Sequence, residues 1–136
     1  MSKRVLLDES VPRHLAAALE AAGFSATPYP NDWKQIRNGE LLTRAQEHKF
    51  DVLVTSDQNI CAQQNLRGRR LAIVVLPTNL RRLIMQRAAD IADTIRRIKP
   101  NHYVVIKPSG QRPVINYDAP RAKAGAMPAV RPFKPA

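Results

Sequence analysis

The 136-residue chain predicts an α/β fold of three layers, with helices on both faces of a central, mostly parallel sheet. Two nearly uniform apolar runs, Asp51–Thr55 and Leu71–Leu76, read as strands covered on both faces, as parallel strands are. Short β-rich runs alternate with stretches of helical apolar spacing, giving the order β-α-β-α-β-α-β-α-β. The length suits one hydrophobic core and is too short for two ordinary domains.

Arg4–Leu7 reads as the first strand. Ser10 followed by Pro12 marks a helix start, since serine caps exposed N–H groups and proline tolerates the first helical position. Leu15, Ala18, Leu19 and Ala22 form its apolar stripe, and Gly23 ends it. Phe24–Thr27 is a weak second strand before the turn Pro28-Tyr29-Pro30-Asn31. Asn38 suits the cap of a helix over Gly39–Lys49, with Leu41, Leu42, Ala45 and His48 inward. After the two apolar strands, a single long helix is expected from Leu80 to Ile98, and His102–Ile106 closes the body as an edge strand.

Residues 1–106 and 107–136 differ in kind. The second stretch holds six of the eleven prolines, and Lys107, Arg112, Arg121, Lys123, Arg131 and Lys134 against Asp118 alone. This composition predicts a basic, proline-rich tail, partly extended or disordered, in which Val114–Tyr117 suits a short added strand. The body is itself basic, with 16 Lys+Arg against 10 Asp+Glu. A formal charge of +11 favours polyanionic partners through steering and counterion release. One cysteine, Cys61, excludes an internal disulfide framework and a cysteine-rich zinc site. No signal-like segment and no run of eighteen apolar residues occurs, so a cytoplasmic location away from membranes is expected.

Against this basic background, three acids fall where an α/β sheet places ligands, at the carboxyl ends of its strands. Asp8 follows the first strand and Asp57 the third, while Glu40 lies in the first turn of a helix that starts near the same edge. Asp8 and Asp57 also suit turns or helix caps, and Glu40 suits favourable interaction with exposed helix N–H groups. Converging carboxylates on a phosphate-seeking chain suggest a Mg²⁺ or Mn²⁺ site, because these hard ions prefer oxygen ligands. Glu9, Thr55, Asn59, Thr78 and Asn79 are the candidate supporting groups.

At these residues the chain resembles a known family. Leu6-Leu7-Asp8-Glu9-Ser10-Val11-Pro12, Asn38-Gly39-Glu40-Leu41-Leu42, Val54-Thr55-Ser56-Asp57-Gln58-Asn59 and Arg69-Arg70-Leu71-Ala72-Ile73-Val74-Val75-Leu76 are similar to the DUF5615 PIN-like predicted nucleases. That group is related to the toxin ribonucleases of toxin–antitoxin pairs, and the similarity covers about residues 4–106. It implies a PIN-like sandwich and Mg²⁺- or Mn²⁺-dependent hydrolysis of RNA, with Asp8, Glu40 and Asp57 as catalytic and metal-binding acids. It further implies a homodimer and a cognate antitoxin partner. The chain departs from the family at its fourth acid, where Asn59, Thr78 and Asn79 stand and no acid occurs between Asp57 and Asp90. That departure leaves a second class open: a non-catalytic nucleic-acid-binding or protein-interaction module on the same fold.

Arg67, Arg69 and Arg70 precede the fourth strand; Arg81 and Arg82 follow it. The second pair lies toward the acidic edge and is the expected phosphate-binding pair. Gln63-Gln64-Asn65 adds hydrogen-bonding capacity. Three Phe, three Tyr and one Trp are too few for an RNA platform that splays several bases, although Tyr29 and Trp33 flank a loop suited to a base or a partner. His14, His48 and His102 have no metal-ligand spacing. The phosphate-loop, dinucleotide and serine-hydrolase motifs are absent.

Overall fold

A computed structural model describes residues 2–34, 36–63, 65–119 and 125–134. Gln64, Arg121 and Lys123 lie outside the described residues. The chain forms a three-layer α/β/α sandwich around a seven-stranded sheet of order β2-β1-β3-β4-β5-β6-β7. Strands β1 (Arg4–Leu7), β2 (Ser25–Thr27), β3 (Val52–Thr55), β4 (Ala72–Val75) and β5 (His102–Val105) run parallel. Strands β6 (Arg112–Asn116) and β7 (Ala126–Met127) add antiparallel on the β5 side, so the sheet is mixed.

Alternation along the central strands divides the core in two. Val5, Leu7, Val52, Val54, Ala72 and Val74 face α1 (Leu15–Ala21), α4 (Arg81–Gln86) and α5 (Ala88–Arg97). Leu6, Leu53, Ile73 and Val75 face α2 (Asn38–Glu47) and α3 (Ile60–Gln63), with Tyr29 and Trp33 completing that layer. Every residue of β3 and β4 is buried, which explains why neither strand alternates in polarity. On α2, Leu41, Leu42 and Ala45 form the buried stripe, each leucine contributing roughly 2 kcal/mol of burial.

The expected long helix is broken. Its apolar spacing continues across Arg87, but the backbone there leaves helical geometry at φ −109°, ψ 22° and separates α4 from α5. At the break the Arg87 guanidinium donates to the carbonyls of Arg131 (2.7 Å) and Pro132 (2.8 Å), pairs with Asp90 and lies 4.1 Å from the Phe133 ring centroid. Arg112, 2% exposed, makes a second such fastening with Asp93, the Thr94 hydroxyl and the Pro128 carbonyl.

The described parts of 107–136 are therefore built onto the body. β5, expected at the sheet edge, lies inside the sheet because β6 pairs with it, and β6 covers most of the short strand expected near Val114–Tyr117. Phe133 is buried in the core layer of α4 and α5. Gly110 permits this return: its φ is +92°, and a Cβ there would stand 1.9 Å from the Val130 carbonyl oxygen. Residues 120–124, 135 and 136 of this stretch lie outside the described residues.

Candidate functional site

The ends of β1 and β3 bring Asp8 and Asp57 to one edge of the sheet, joined through a single hydroxyl. Parallel pairing of Leu7 with Val54 aligns the two strands, and the Asp8 N–H donates to the Val54 carbonyl at 2.9 Å. Thr55, fully buried at the end of β3, donates its hydroxyl to Asp8 Oδ2 at 2.6 Å and accepts the Asp57 N–H at 3.0 Å. A threonine suits this position because its β-branched body packs in the strand while its hydroxyl serves two loops.

Each carboxylate then collects further donors. Asp8 accepts the Glu9 N–H at 2.7 Å and the Ser10 hydroxyl at 3.2 Å; Asp57 accepts the Asn59 N–H at 2.9 Å and the Asn38 side-chain amide at 2.8 Å. Two side chains expected to cap helices therefore serve acids instead. Neither α1 nor α2 has a side-chain cap: α2 begins after an extended Arg37, and α1 is preceded by turns through Pro12 and Arg13. Ser10 also accepts the Ser56 N–H, linking the two loops a second time. Serine hydroxyls and asparagine amides donate to carboxylates as readily as they cap helices; the Asn38–Asp57 contact spans 19 residues and the Ser56 N–H reaches Ser10 across 46, while Ser10 and Asp8 are only two apart. Sequence spacing carries no signal for the two long-range contacts.

Glu40 lies in the first turn of α2, near Asn38, but pairs with Arg44 at 2.8 Å along its own helix, and its side chain is 51% exposed. Arg44 in turn lies 5.4 Å from the Trp33 ring centroid. Among the described residues, no group of three or more His, Cys, Asp or Glu side chains is placed to hold a metal ion. Among the described residues, Asp8, Glu40 and Asp57 do not form such a group.

The supporting positions divide in the same way. Glu9 and Asn59 are exposed and reach the acids through their backbone N–H groups. Thr78 accepts the Leu80 N–H within its own turn, and Asn79 is exposed beside it. Arg81 and Arg82 are exposed at the start of α4, where Arg81 contacts His14 Nδ1 at 2.8 Å. Arg13, which sequence reasoning passed over, donates to the Tyr29 carbonyl and fixes the loop after β2.

Two neighbouring titratable groups respond to the acids. Burial raises the Tyr29 phenol above its ordinary value, and the charges of Glu9, Asp8 and Glu40 add to this while Arg44 opposes it. Burial pushes the Cys61 thiol up to about 12, with Asp57 contributing in the same direction. No family model, curated protein or solved structure matches the chain.

The opposite edge has the reverse character. The C-terminal ends of α2 and α5 and the starts of the parallel strands surround a groove of about 990 Å³, lined by Lys3, Arg4, Lys49, Arg69 and Arg70 against Glu47 and Asp51. Lys3 donates to the carbonyls of Ile95 and Ile98, both at 2.7 Å, and of Arg96 at 3.2 Å, complementing the negative end of α5. No helix among the described residues is long and apolar enough to cross a membrane.

Proposed function

We propose that this chain is a non-catalytic nucleic-acid-binding module on a PIN-like α/β/α sandwich. One observation carries the reading: the acids that would serve catalysis are held by protein donors or a salt bridge, while the chain retains a formal charge of +11. Asp8 and Asp57 act as joints between loops, and Glu40 is paired along α2. The excess positive charge supplies affinity for phosphodiester backbones by releasing condensed counterions, a term independent of base sequence.

A second reading keeps the family's chemistry: a metal-dependent ribonuclease, such as the toxin half of a toxin–antitoxin pair. It is favoured by the meeting of Asp8 and Asp57 through Thr55 at the carboxyl edge, where α/β folds place their chemistry. Its weakness is Glu40, whose partner is Arg44.

Mixed-sequence single-stranded RNA separates the two. The binding reading expects a complex whose log affinity falls linearly with log salt, and intact RNA in Mg²⁺, Mn²⁺ or chelator alike. Metal-dependent cleavage abolished by both Asp8→Asn and Asp57→Asn would overturn it in favour of the nuclease. Absence of any complex at low salt would remove nucleic acid from the account and leave a protein-interaction module.

A further inference from the structure

We infer that the groove at the N-terminal edge of the sheet, opposite the acids, is the surface on which a single-stranded nucleic acid lies. This rests on the binding reading above and names its site. The cations lining the groove are of two kinds. Lys3 and Arg4 serve the fold: Lys3 holds the end of α5, and Arg4 donates to the His48 carbonyl at the end of α2. Arg69 likewise donates to the Asn65 carbonyl and the Thr43 hydroxyl. Lys49 and Arg70 are exposed, and their side chains donate to no other described residue. They are the charges left to meet phosphate.

Aromatic rings provide the second half of the argument. Phe50 lines the groove with the Arg4 guanidinium 4.7 Å from its ring centroid. A smaller recess shares Ser2 and Lys3 with it and ends on Phe24, whose ring lies 5.6 Å from the Arg96 guanidinium. Two half-buried rings, each packed against the core and carrying an arginine over it, thus flank Lys3, and the arginine–ring pairs are what an unpaired base would meet. Cationic side chains tracking a backbone and aromatic faces for unpaired bases are the combination that binds single strands without sequence preference. A duplex keeps its bases stacked inside and gains nothing from the rings. The groove sets five cations against two acids, Glu47 and Asp51, whereas four acids, Asp8, Glu9, Glu40 and Asp57, gather toward the other edge.

The test uses fluorescence anisotropy of a labelled single-stranded oligouridine and of a duplex of equal length, with the full chain. Lys49→Asn together with Arg70→Gln removes the two charges; asparagine suits the left-handed backbone at Lys49, whose φ is 65°. This variant is expected to bind the single strand about tenfold more weakly and to flatten the log–log salt slope by about 1.4, roughly 0.7 for each lost phosphate contact. Phe50→Leu keeps apolar packing but removes the ring, and is expected to lose affinity for the single strand while leaving the duplex unchanged. Arg81→Gln together with Arg82→Gln, on the acidic edge, is expected to bind like wild type. Loss of binding through Arg81 and Arg82 alone, or equal affinity of wild type for strand and duplex, would overturn this surface while leaving the binding function intact. A wild-type chain that binds neither probe overturns both.

Discussion

The two edges of the sheet hold opposite charges by opposite means. At the carboxyl edge, Asp8 and Asp57 are tied to Thr55, Ser10 and Asn38, so each charge closes one loop against another. At the amino edge, the cations that hold the fold sit on helix carbonyls, and Lys49 and Arg70 project beyond them. Position at a sheet edge alone therefore does not separate a structural charge from an interacting one. The difference between the two edges is that protein donors already satisfy Asp8 and Asp57, while Lys49 and Arg70 donate to no other described residue.

The largest expected effect tests this distinction directly. Thr55→Val preserves the shape of a fully buried residue but removes a donor to Asp8 and an acceptor for the Asp57 N–H. Urea unfolding is expected to report a loss of about 2–3 kcal/mol, the range for a hydrogen bond to a charged group with a partner left unsatisfied. Arg70→Gln at the other edge is expected to stay within about 0.5 kcal/mol of wild type, as exposed substitutions do. Equal costs at the two positions would erase the contrast.

Buried arginines sharpen the comparison by showing that positive charge can also be locked. Arg112 donates to Asp93 at 2.8 Å while 2% exposed, and this hydrogen bond is the leading reason the Asp93 carboxyl titrates below its ordinary value of 3.8; Arg97 helps, and burial opposes. A carboxyl with a depressed folded pKa contributes its stability above the unfolded value and loses it as pH falls through the folded one. Asp93→Asn is therefore expected to lower the urea midpoint at pH 7, with the gap to wild type closing below about pH 4. A gap of constant size at pH 7 and pH 3 would remove the ion pair from the account of how the C-terminal stretch is held.

These fastenings also mark where sequence stopped being informative. Strands β1, β3 and β4 were legible because each is a compact apolar run between polar turns, with β2, Ser-Ala-Thr, a weaker signal, and Asp8 and Asp57 follow β1 and β3 in that order. The break at Arg87 was not, since Leu83, Ile84, Ala88, Ile91, Ala92 and Ile95 continue one helical stripe across it, and the carbonyls that its guanidinium meets lie 44 and 45 residues away. The docking of the last described residues was hidden for a related reason. Prolines remove N–H donors and lower the apolar content that signals a core, yet the carbonyls of Pro108, Pro128 and Pro132 remain acceptors for Phe133, Arg112 and Arg87. At the site, Ser10 and Asn38 were recognised as special and given the wrong partner, because local capping is the commoner use of such residues.

The smallest effect concerns the field that Asp57 exerts on a neighbouring thiol. Cys61 reports on it: burial is the main cause that pushes the thiol up to about 12, and the Asp57 charge is the second. Replacing Asp57 with asparagine removes the second cause and leaves the first, so the thiol pKa should fall slightly and the thiolate fraction at pH 8 should rise. Since only the thiolate attacks, iodoacetamide labelling in the folded protein is expected to quicken by less than about tenfold, one pKa unit being a factor of ten. Circular dichroism distinguishes this from unfolding, which would expose the thiol and accelerate labelling far more. An unchanged rate in a folded Asp57→Asn chain would mean that the carboxylate exerts no field on its neighbour. The acidic edge would then be a hydrogen-bonded joint without the negative potential that sets it against the groove on the other side.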